Sequence, residues 1–140
     1  MQAQLKDAGI NVELAPAPFT TEIDPYVNGT EAFSMWFWGP DYADTANFLP
    51  FAPGLKVGLR AGWTADANPE IADLATQAAA ATDPDTREAI FTDFATAMQK
   101  DGPFVPLIVP GSNIATAKTV TGAVYNAVWT MDIAELSPTS

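Results

Sequence analysis

Cysteine and histidine are both missing from the 140 residues. Without them there is no Cys/His zinc site, no thiol nucleophile and no histidine-based triad or acid–base relay. Positive charge is scarce as well, with 6 Lys and Arg against 17 Asp and Glu and a net charge of −11. The basic residues Lys6, Lys56, Arg60, Arg87, Lys100 and Lys118 are scattered along the chain and make no patch. An acidic surface of this kind repels phosphate backbones and anionic lipid, which argues against nucleic-acid and peripheral-membrane roles. The longest apolar runs, such as Phe104–Pro110, are far too short to span a bilayer, so no direct membrane insertion is expected. No stretch has the basic start, apolar middle and small-residue cleavage site of a signal peptide.

Apolar residues are plentiful. They make up 48% of the chain and include eight Phe, four Trp and three Tyr, enough to bury an ordinary core despite twelve prolines. A single domain over residues 1–140 is the expectation from length.

Local patterns divide the chain further. Gln2–Ala8 reads as the last turns of an amphipathic helix closed by Gly9, which suits a fragment of a longer protein. Ile10, Val12 and Leu14 alternate with polar residues at the period of a half-buried strand. Phe19–Val27 can form a short helix stopped at Asn28-Gly29. Phe33–Trp38 is β-prone and nearly continuous in apolar character, as for a strand buried on both faces. Asp44 suits the cap of a short helix reaching about Phe51, and Pro50 to Trp63 then read as a long irregular segment.

Two helices carry clear start signals. Asn68-Pro69 opens one with Ile71, Leu74, Ala75 and Ala78 on a single face. Asp83-Pro84 opens another that reaches about Lys100, with the stripe Ile90, Phe91, Phe94, Ala95 and Met98. Phe104–Val109 and Asn113–Ala117 look like strands, and the tail has no clean period. Strands interleaved with helices predict an α/β domain with a mixed β-sheet flanked by helices.

Most polar candidates have plain structural explanations. Asn28-Gly29-Thr30 fits a glycosylation sequon but reads as a glycine turn, and Asp83 and Asp85 suit a helix start. Asp41 and Asp44 are too few oxygen ligands for a metal site. Neither a metal nor another cofactor is expected. The informative stretch is Trp36-Phe37-Trp38-Gly39-Pro40-Asp41-Tyr42, where an aromatic run breaks at Gly-Pro and an acid follows. α/β folds place ligands at strand ends, and an aromatic wall beside a carboxylate suits an apolar group carrying a cation, such as a peptide α-amine. Core packing plus a turn explains the same residues equally well.

The stretch Phe37–Leu49 also resembles the W-x-x-D-x-x-D/E-P-x-x-F/N-F region of family 5 solute-binding proteins, the oligopeptide-, dipeptide- and nickel-binding group. Gln4–Leu14, Asn68–Leu74, Thr82–Arg87 and Pro103–Leu107 resemble further blocks of that family in the same order. Thr45 stands where the family has proline. The resemblance implies the later part of the C-terminal lobe of a type II periplasmic-binding-protein-like fold, in a two-lobed protein several times longer. About residues 120–140 would then be a tail returning toward the other lobe. It further implies a solute-binding component of an ABC importer, periplasmic or otherwise extracytoplasmic, that serves a permease and is not an enzyme.

Carried over residue by residue, Asp41 pairs with the peptide α-amine, Trp38 stands beside it and Gly39 offers main-chain contact, while Tyr42 joins the candidate ligand-binding residues from the aromatic stretch itself. Arg60 can meet a ligand carboxylate, though a surface position explains it at least as well. The family's solutes include peptides, sugars, opines and nickel complexes. A carboxylate-dependent hydrolase and a ligand-free interaction module are the alternatives.

Overall fold

The computed structural model describes residues 1–139. Among them five α-helices run α1 Gln2–Asp7, α2 Phe19–Val27, α3 Lys56–Arg60, α4 Pro69–Ala80 and α5 Pro84–Asp101, with a seven-residue 3₁₀ helix over Thr45–Phe51. Four two-residue strands follow: β1 Val120–Thr121, β2 Tyr125–Asn126, β3 Thr130–Met131 and β4 Ser137–Pro138. They form two separate antiparallel pairs, β1 with β4 and β2 with β3. The described chain is therefore mostly helical.

The helix signals in the sequence translate directly. Asn68 accepts from the Ile71 amide at 3.2 Å and Pro69 opens α4, while Asp83 accepts from the Thr86 amide at 2.9 Å and Pro84 opens α5. Gly9, at φ 83°, sits in the left-handed region just past α1. The α4 face is as expected: Ile71, Ala75 and Ala78 are buried and Leu74 packs beside them. On α5, Phe91 and Phe94 are buried with Ile90 and Met98 against them, but Ala97 joins the cluster and Ala95 faces solvent.

Leu49 of the 3₁₀ helix, Ala52 and Trp63 complete this core, and Phe104 packs on its edge. Every buried residue described lies between Asn47 and Phe94. The segment expected to be irregular contains α3, whose Gly58 carbonyl accepts from the amides of Ala61 and Trp63. That turn folds Trp63 back into the core.

Among the described residues there is no mixed sheet, and the strands expected at Ile10–Leu14, Phe33–Trp38, Phe104–Val109 and Asn113–Ala117 belong to no ladder. Among the described residues, 31–40 and 103–116 make no backbone–backbone hydrogen bond. The physical reason is that apolar alternation reports which side chains seek burial, whereas a strand also needs a second backbone to receive its N–H and C=O groups. Without one, Phe33, Met35, Phe37, Val105, Ile108 and Val109 stay exposed. Trp36 is captured locally: it stacks on Tyr26 at 4.1 Å, meets Phe19 edge-on, and donates its indole N–H to Glu31.

Candidate functional site

The stretch from Trp38 to Asp44 runs from an aromatic junction to the cap of the 3₁₀ helix. Trp38 packs edge-on against Phe51 at 4.8 Å, and Phe51 in turn meets Phe104 at 5.1 Å. The Trp38 indole nitrogen is buried with no acceptor among the described residues. Its ring is thus half committed to the fold. Past Gly39 and Pro40 the chain opens to solvent, and Asp41 and Tyr42 are exposed.

The backbone of this turn is held by one side chain. Asn47 is 3% exposed, the buried polar residue of the described chain. Its Oδ1 accepts from the Asp41 amide at 3.0 Å, and its Nδ2 donates to the carbonyls of Tyr42 and Asp44. Its chain neighbours are apolar and belong to the core: Leu49 lies in it and Ala46 packs against it. Asn47 and Arg87 did not stand out in the sequence as site residues. The available signal for Asn47 was an amide set within the otherwise apolar run Ala46, Phe48 and Leu49.

The two acids of the turn have different fates. Asp44 caps the 3₁₀ helix through the Ala46 amide at 2.7 Å and accepts from Arg87 of α5 at 2.6 Å. The Ala46 hydrogen bond first, and then Arg87, hold its carboxyl below the usual aspartate value. Arg87 also lies over the Phe91 ring at 4.7 Å, so α5 anchors the turn. Asp41 takes part in no ion pair among the described residues, and none of their hydrogen bonds reaches its carboxylate.

Arg60 sits apart from these groups. Its guanidinium covers the Tyr26 ring at 4.6 Å, tying α3 to α2, and no ion pair or ring contact joins it to Trp38–Tyr42 among the described residues. The arrangement brings Trp38, Gly39, Asp41 and Tyr42 together on one turn and gives Arg60 a local packing partner of its own. Two open hollows lie elsewhere. One of about 740 Å³ runs along α5 past Thr45, Arg87 and Phe91, and one of about 400 Å³ lies between Leu49, Leu55 and Ala72. Neither includes Trp38, Gly39, Asp41, Tyr42 or Arg60.

Two depressed carboxyls carry a pH consequence. Asp83, held down by the Thr86 hydroxyl and then its amide, joins Asp44 in binding its proton less readily folded than unfolded. The stability they contribute is present above about pH 4 and is lost as pH falls through the folded values. Asn keeps the capping acceptor without titrating. The double variant Asp44→Asn/Asp83→Asn should therefore show a flatter decline of melting temperature between about pH 5 and pH 2. An acid limb as steep as the parent's would show that these caps do not couple to folding.

No family model matches the sequence, and no curated protein matches it either. No helix among the described residues is long and apolar enough to cross a membrane.

Proposed function

We propose that this chain is part of the C-terminal lobe of an extracytoplasmic solute-binding protein of an ABC importer. In this reading the lobe has a type II periplasmic-binding-protein-like fold and takes peptides or similar small solutes carrying an ammonium group. The observation that carries the proposal is the contrast between two neighbouring carboxylates. Asp44 is capped and paired with Arg87, while Asp41, on the same well-held turn, has no cation partner among the described residues. A carboxylate left free on a fixed backbone beside an aromatic ring suits a solute cation.

The exposure of Asp41 fits a clamp, in which the pocket is completed only once a second lobe closes over the first. The unpaired segments 33–38 and 104–109 fit as well, as strands whose partners come from the remainder of such a protein. On this reading they restore the mixed sheet. A carboxylate-dependent hydrolase loses one of its two acids, because Asp44 is engaged by Arg87 and Ala46. The interaction-module reading draws on one observation, the exposed apolar run Val105, Leu107, Ile108 and Val109.

A thermal-shift screen of the complete two-lobed protein against di- and oligopeptides, sugars and nickel separates these readings. A ligand at a hundred times its Kd adds about 2.7 kcal/mol, well within detection. Stabilisation by peptides that disappears when their N-terminus is acetylated is the expected result. No shift with any solute would leave the interaction module standing.

A further inference from the structure

The geometry points to Asn47 as the positioning residue of the Asp41 turn: its single buried amide sets the backbone that presents the carboxylate, an inference that rests on the peptide-binding reading above. The turn has no sheet to hold it, since residues 31–40 pair with no other backbone among the described residues. Its fixed points are the Trp38 ring on Phe51 at one end and the Asp44 cap with Arg87 at the other. Between them, the path is defined by backbone bonds from the Asp44 amide to the Tyr42 carbonyl and from the Asn47 amide to the Asp44 carbonyl, and by the Asn47 side chain, which reaches the Asp41 amide and the same two carbonyls.

An amide is the right group for this task. It offers an acceptor and a donor at once, and here the acceptor faces an N–H while the donor faces two carbonyl oxygens. Burial at 3% exposure keeps water from competing for either end. Aspartate has the same shape but turns an oxygen toward the two carbonyls, keeping only the Asp41 contact. Leucine has the same branched heavy-atom skeleton, though it is bulkier, and keeps none.

The test combines amide hydrogen exchange on the full chain with peptide calorimetry on the two-lobed protein. In the parent, the Asp41 amide should exchange about tenfold slower than an unbonded exposed amide, although the residue is exposed. An unprotected Asp41 amide in the parent would overturn the inference without any variant. In Asn47→Leu that protection should vanish while the amides of Ile71 and Phe94 keep theirs, and peptide affinity should fall about tenfold or more. Asn47→Asp should keep protection at Asp41 but weaken binding, because its second oxygen repels the Tyr42 and Asp44 carbonyls instead of donating to them. If Asn47→Leu retains both protection and affinity, Asn47 merely fills space and the inference fails. If Asp41→Ala still binds peptide as the parent does, the peptide reading fails instead, and the exchange measurements alone decide the role of Asn47.

Discussion

On the proposed peptide-binding reading, replacing Asp41 with alanine in a two-lobed protein is expected to weaken peptide binding by about thirtyfold to several thousandfold. This corresponds to the roughly 2–5 kcal/mol lost when one member of a buried, hydrogen-bonded charge pair is removed. The large effect arises only on closure. Here Asp41 is exposed and solvent screens it, but on the proposed reading a solute ammonium sealed beside it loses its water and needs its counter-charge. Stability of the free protein should barely change, because no ion pair among the described residues includes Asp41. Asp44→Ala should do the reverse, leaving affinity nearly intact while loosening the 3₁₀ helix and its tie to α5. Melting curves and calorimetry on the two variants check the split. Exchanged phenotypes would remove Asp41 from the recognition role and peptides from the expected solutes.

The second large effect is expected at Gly58, and it concerns folding alone. A Cβ at this position would stand 2.2 Å from the Ala52 carbonyl oxygen and 3.1 Å from that of Phe51. Both obstacles are backbone, so no side-chain rotation relieves the clash. The close approach lets α3 press against the end of the 3₁₀ helix, where Ala52, Val57 and Gly58 are all buried. Gly58→Ala should therefore cost about 3 kcal/mol, the upper end of the usual range for overpacking, despite the gain in helix propensity. The melting temperature should fall by roughly 10 °C. A variant as stable as the parent would mean that α3 is free to move away from Ala52, and that the Trp63 turn does not depend on it.

How much of this could be read in advance follows a physical divide. Helix caps and faces are local facts. Asn68-Pro69 and Asp83-Pro84 announce their helices because the cap bonds span three residues, and Ile71, Ala75 and Ala78 share a face by periodicity. Asp44 was legible as a cap on the same grounds, which left Asp41 as the free acid of the turn. Sheets depend on distant backbone, so Phe33–Trp38 carried the composition of a strand without the means to be one. Arg87 meets Asp44 from 43 residues away, a pairing that no local pattern encodes. The Asn47 clasp spans only a few residues, yet it was hidden because its importance lies in burial, which composition does not show.

The two apolar segments without backbone partners differ in how they would behave at high concentration. Cross-β stacking between chains needs roughly six or seven residues without proline, in register and low in charge. In the later segment Pro103, Pro106 and Pro110 interrupt the run, each lacking the N–H that stacking requires, so that Leu107, Ile108 and Val109 form its longest unbroken stretch. Those prolines act as gatekeepers against aggregation on a surface where Val109 is 99% exposed. Residues Phe33-Ser34-Met35-Trp36-Phe37-Trp38 have no proline and no charge. There the restraint is the capture of Trp36 by Tyr26 and Glu31, which diverts the middle of the run from any neighbouring chain. Of these two segments, residues 33–38 thus carry the greater amyloid hazard, and a single indole ring checks it.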